Sequence, residues 1–245
     1  MKHSAQLFVF LFIAFPLFIS CDFSNRTAIY GNYQLVNQRI EIGDYDKVIL
    51  NVPAEVFYQQ FSDSTPYLQI HTDENIFRAL DVRVQDNQLI IDVKKDSVIK
   101  PTQFTIYTAS SNLNRVSVAG AGKIRLKGEV NAEDFNLDIA GSGNFLSDSL
   151  ICDKLTASIV GSGNAQLTGA SNSSSFKITG TGSIQAFSYL VQESDCHILG
   201  SGNIETWVTN KLDVNITGSG NLTYRGNPKS INNNTLGSGK VKSVE

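Results

Sequence analysis

Residues Leu137-Asp138-Ile139-Ala140-Gly141-Ser142-Gly143-Asn144-Phe145 decide the fold of this chain. Apolar residues alternate up to a glycine–small–glycine triplet, and an apolar residue returns four positions after the first glycine. The triplet recurs as Gly120-Ala121-Gly122, Gly161-Ser162-Gly163, Gly180-Thr181-Gly182, Gly200-Ser201-Gly202, Gly218-Ser219-Gly220 and Gly237-Ser238-Gly239. Along the chain the steps are 21, 20, 19, 20, 18 and 19 residues.

Period-two alternation on both sides of a glycine turn reads as strand–turn–strand, and paired glycines at this density exclude helix. Because equivalent apolar rows match from repeat to repeat, the units should stack in parallel. Ile139, Ile159, Ile178, Ile198 and Ile216 then form one column with a rise of about 4.8 Å per coil. Residues 112–245 are read as a solenoid of roughly six coils with two or three short strands each. Both triplet glycines are expected to take positive φ at the turn. Asn144, Asn164, Asn203 and Asn221 follow the triplets as a stacked amide ladder, read as structural, with a ligand-binding ladder as the alternative.

Residues 37–111 lack the triplet but alternate over Arg39–Ile42, Lys47–Val52, Tyr67–Thr72 and Phe104–Thr108. Leu80–Val84 and Leu89–Val93 resemble a hairpin, and Asp73–Phe77 a short helical turn. With no linker-like composition between the two parts, residues 37–245 are read as one domain whose opening coils cover the first edge of the solenoid.

Residues 1–20 read as a signal peptide: Lys2, an apolar run from Leu7 to Ile19, then Ser20 before Cys21. A small residue before cysteine resembles the bacterial lipobox and makes Cys21 the expected lipidation site, with 21–36 as a tether. The alternatives are an ordinary signal peptide with a chance cysteine and a spanning anchor, for which the run is shorter than the ~20 residues required. Removing the leader takes one lysine and no acid, so the formal charge goes from −3 to −4. That balance argues against nucleic acid as a partner. Cys152 and Cys196 fall about two coils apart, too far for a disulfide.

The Asp44-Tyr45-Asp46-Lys47-Val48 opening, the Leu113-Asn114-Arg115-Val116-Ser117-Val118 approach and the Gly-Ser-Gly-Asn turns resemble the bacterial head GIN domain family of proposed autotransporter-adhesin heads. The resemblance covers about residues 37–242. It implies an all-β, right-handed parallel β-helix, similar in shape to pectin lyases without their catalytic residues, and a role in adhesion.

The residues themselves offer little chemistry. His71 and His197 are the only histidines past the leader and have no metal-ligand spacing, so neither metal nor cofactor is expected. His197 should point to solvent. The glycine triplets fit neither calcium-binding rolls, phosphate loops nor dinucleotide fingerprints. A carbohydrate-active enzyme on a β-helix, either lyase or glycosidase, is the rival to a binding or scaffold module, and acids paired on neighbouring coils would favour it. Asp138 stacks with Ser117, Ser158, Lys177, His197 and Asn215, while Asp134, Asp153, Asp195 and Asp213 are assigned to corners. Phe187 and Trp207 each lie seven residues after a first glycine and are expected side by side, with Tyr189 and Tyr224 nearby. That cluster is a candidate surface for a glycan or envelope protein, or else packing under a corner. The chain as a whole reads as a non-enzymatic lipoprotein of a Gram-negative cell envelope, attached to the outer membrane through its lipid.

Overall fold

The computed structural model describes residues 27–61, 65–94 and 97–244. Cys21 and the expected leader lie outside these residues. The first part comprises β1 (Thr27–Tyr30), β2 (Leu35–Glu41), β3 (Lys47–Leu50), β4 (Glu55–Gln60), β5 (Tyr67–Asp73), helix α1 (Glu74–Ala79), β6 (Leu80–Gln85), β7 (Gln88–Val93), β8 (Ser97–Lys100) and β9 (Phe104–Ser110). The repeats follow as β10 (Arg115–Gly120), β11 (Lys123–Gly141), β12 (Asn144–Gly161), β13 (Asn164–Gly180), β14 (Ser183–Gly200) and β15 (Asn203–Gly218). β16 (Asn221–Arg225) and β17 (Ser230–Gly237) make the next coil, and β18 (Lys240–Ser243) stacks on β16 to begin a further one.

From β10 onward neighbouring coils pair in parallel, with Val118, Ile139, Ile159, Ile178, Ile198 and Ile216 in register. All six are buried, so the expected column is the core. The fold is a parallel β-solenoid. Inward positions change phase twice per coil: in β14 they are Ile184 and Ala186, then Tyr189 and Val191, then Ser194, Cys196 and Ile198. Each phase change is a corner and the triplet is the third, which leaves three straight segments with the middle one shortest. Register shifts fall at the same two corners, for example between Ala186 and Leu190, and absorb the unequal coil lengths.

The triplet works differently from the expectation. Only its first glycine has positive φ, +121° at Gly161, where a Cβ would also lie 2.5 Å from the Gly141 carbonyl oxygen. The second glycine is required by packing instead: a Cβ on Gly163 would meet Ile139 Cγ2 at 2.6 Å and the Gly143 oxygen at 2.7 Å. The asparagine ladder forms in two pieces, Asn164 Nδ2 to Asn144 Oδ1 at 3.2 Å and Asn221 Nδ2 to Asn203 Oδ1 at 3.1 Å. Ser183 separates them.

Residues before β10 join the stack only in part. β3, β4, β7 and β9 pair in parallel and extend its columns, with Val116 on Val48 on Leu89 and Ile124 on Val56 on Ile106. β5 runs antiparallel against β9, β2 antiparallel against β5, and β6 antiparallel against β7, so these three strands are not coils. The antiparallel layer has no repeat to match and ends the parallel ladder at that edge. The hairpin turns at Asp86 and Asn87, both with positive φ as a two-residue turn needs. β1, counted with the tether from sequence, pairs with β8. The Asp44-Tyr45-Asp46 motif staples β3 to the approach of β10. Asp44 accepts from the Ser111 hydroxyl at 2.7 Å, Asp46 from Asn114 Nδ2 at 2.8 Å, and the buried Tyr45 hydroxyl meets Thr108 Oγ1 at 2.6 Å.

Candidate binding face

The short middle segment of each coil has one outward position between two inward ones. In register these positions are Ile151, Ala170, Leu190, Trp207 and Arg225. Ile151 and Leu190 are 38% and 36% exposed. Four coils therefore carry an apolar stripe along the solenoid axis, and the fifth closes it with a guanidinium.

Beside the stripe runs a row of amides. Asn172 Nδ2 donates to Asp153 Oδ1 at 3.1 Å, and Gln192 Nε2 donates to Asn172 Oδ1 at 3.1 Å. The guanidinium carbon of Arg225 lies 4.1 Å from the Trp207 ring centroid and 5.9 Å from that of Phe187. Its Nε is buried without a hydrogen-bond partner.

Of the four aromatic residues singled out from sequence, Phe187 and Trp207 are thus brought together, but through Arg225 rather than as register neighbours. Trp207 pairs with Leu190, because residues 187–189 are extra at the corner and a count from the glycine fails beyond it. Tyr189 is a correction: it is fully buried, its hydroxyl 3.1 Å from the Ala170 oxygen and 3.2 Å from Cys152 Sγ. Its in-register neighbour is Gly169, which leaves room inside the coil for the ring. Tyr224 is in register with the buried Thr206 and packs against the core. Arg225 was missed, although a lone arginine one residue after Tyr224 in an aromatic region was a visible signal.

The third segment carries the polar columns. His197 points outward, and its Nε2 lies 2.9 Å from Asp195 Oδ1. Asp195 and Asp213, assigned to corners from sequence, stand in register on neighbouring coils. Glycoside hydrolysis by a carboxyl pair needs one member kept protonated. Asp213 is held the other way: hydrogen bonds from Lys211 at 2.7 Å and from Asn232 at 2.7 Å keep its carboxyl below the usual range. Asp195 is engaged by His197. Among the described residues no group of three or more His, Cys, Asp or Glu side chains converges to hold a metal ion, and no helix is long and apolar enough to cross a membrane.

Stacked parallel coils with matching columns define the chain as a solenoid repeat protein. Within that class, the chain belongs to the family described as "Putative auto-transporter adhesin, head GIN domain", whose match spans residues 44–228. It is similar to a crystal structure described as a "putative lipid binding protein" from Parabacteroides distasonis, 29% identical over 89% of this chain and 100% of that one, TM-score 0.77. A "putative adhesin" from Parabacteroides merdae is 28% identical over 89% of this chain and 99% of its own, TM-score 0.72. One from Bacteroides fragilis, 24% identical over 88% of this chain and 100% of its own with a TM-score of 0.83, shares the fold. No curated protein matches the sequence.

Proposed function

We propose that this chain is a non-enzymatic, adhesin-like binding module of the bacterial cell envelope, lipid-anchored through Cys21 to the outer membrane of a Gram-negative cell. The observation that carries this reading is the middle face: an outward apolar stripe over four coils, exposed at Ile151 and Leu190 and half-buried at Ala170 and Trp207, closed by an arginine stacked on Trp207. Membership of an adhesin-head family and two relatives described as an adhesin and a lipid-binding protein point the same way. The ligand class is a glycan or an envelope protein.

A binding screen tests it. The chain from Cys21 to Glu245 is passed over arrayed glycans, envelope extracts and lipid vesicles, and saturable retention on at least one is expected. Failure to retain anything, or turnover of a glycan, contradicts the reading. The anchor is tested in cells: Cys21→Ala should move the protein from the detergent-rich to the aqueous phase and abolish incorporation of labelled palmitate.

A further inference from the structure

Arg225 poses a physical question. An arginine whose charge is partly withdrawn from water normally finds a carboxylate. Here it rests on Trp207 and Phe187, and among the described residues no acid pairs with it. The rings hold the guanidinium in place, and its planar fork remains available for a bidentate acceptor. Leading away from it are Leu190, Ala170 and Ile151, spaced by one coil each. The row of Gln192, Asn172 and Asp153 flanks them with amide donors and acceptors.

We propose that this face is a site for an extended acidic glycan lying along the solenoid axis. A sugar carboxylate sits on Arg225, the apolar faces of the following rings lie over Leu190, Ala170 and Ile151, and their hydroxyls reach the amide row. An anionic membrane fits less well, because the face offers one guanidinium, a single carboxylate-sized contact at the end of the stripe, and no basic surface around it among the described residues. The inference rests on the reading of the chain as a binding module and specifies where and what it binds.

The test compares a glucuronate-containing hexasaccharide, the hyaluronan repeat, with the same hexasaccharide after reduction of its carboxylates to alcohols. Binding to the chain from Cys21 to Glu245 is followed by calorimetry. The acidic probe should bind at least about tenfold more tightly than the reduced one, and Arg225→Gln should abolish that difference. Leu190→Glu, on the stripe and away from Arg225, should weaken the acidic probe more than the reduced one. The melting curves of both variants report whether they fold. Equal binding of the two probes, an acidic preference that survives Arg225→Gln, no binding at millimolar probe, or displacement by inorganic sulfate as effective as by free glucuronate would each overturn the proposal. Retention of wild-type chain on envelope material alongside any of these results would refute the site while leaving the binding-module reading standing.

Discussion

The Tyr189 hydroxyl lies 3.2 Å from Cys152 Sγ inside the solenoid, reaching two coils across from the column of Leu150 and Gly169 to that of Cys152 and Ser171. Cys196 occupies a different column, in register with Phe176 and Val214, and is fully buried against Ser194. The two cysteines are therefore free and far from each other's reach.

Their reactivity follows from burial. Desolvation pushes the Cys196 thiol up to about 12 and raises that of Cys152 as well, so both stay protonated and poorly nucleophilic at neutral pH. Thiol titration of native protein should be slow, with Cys152 the faster of the two, and denaturation should release both. An intramolecular bridge found by peptide mapping would contradict the coil register.

The stacked isoleucine column is the core. Ile159 is fully buried, in register between Ile139 and Ile178. Ile159→Asp should abolish the cooperative melt, since an unpaired buried charge costs on the order of 4 kcal/mol or more. A parent-like melt would mean the inward and outward faces are exchanged.

The turn separates two effects. Gly161→Val should be severely destabilising, because the left-handed backbone and the Gly141 oxygen both oppose a side chain. Asn164→Ala loses a single exposed ladder bond and should cost about 1 kcal/mol in a denaturant titration. Comparable losses from the two would refute this division.

Much of this was legible because a solenoid repeats its own contacts. Once the triplets were aligned, the columns through Ile159 and Cys196 followed by counting. Counting fails past the first corner, where residues 187–189 are inserted, so Phe187 is expected beside Trp207 at the place that Leu190 occupies. The antiparallel layer of β2, β5 and β6 was illegible for a related reason. Its alternation is the same as a coil strand's, and nothing local to Tyr67–Asp73 fixes direction. Arg225 escaped because its partners come from two other coils.

Asp73 sets an acid limit. It is buried, and desolvation raises its pKa. The Thr102 N–H and hydroxyl and the Tyr33 N–H donate to it, each at 2.8 Å, and more than offset that rise. The folded value therefore lies below the unfolded one of about 3.9. Its contribution is present above that pH and lost as pH falls through the folded value. Asp73→Asn should destabilise the chain by about 2 kcal/mol at pH 7 and by clearly less at pH 3, measured by urea unfolding. An equal loss at both values would show that the carboxylate charge is immaterial.

The central claim is that the solenoid binds envelope material without transforming it. The direct measurement is incubation of the chain from Cys21 to Glu245 with glycans isolated from the envelope, reading retention and product mass together. The account predicts saturable retention with every glycan recovered at its starting mass. New reducing ends or unsaturated fragments, made by wild type and lost in Asp195→Asn or Asp213→Asn, would contradict it and make the register pair on the third segment an active site.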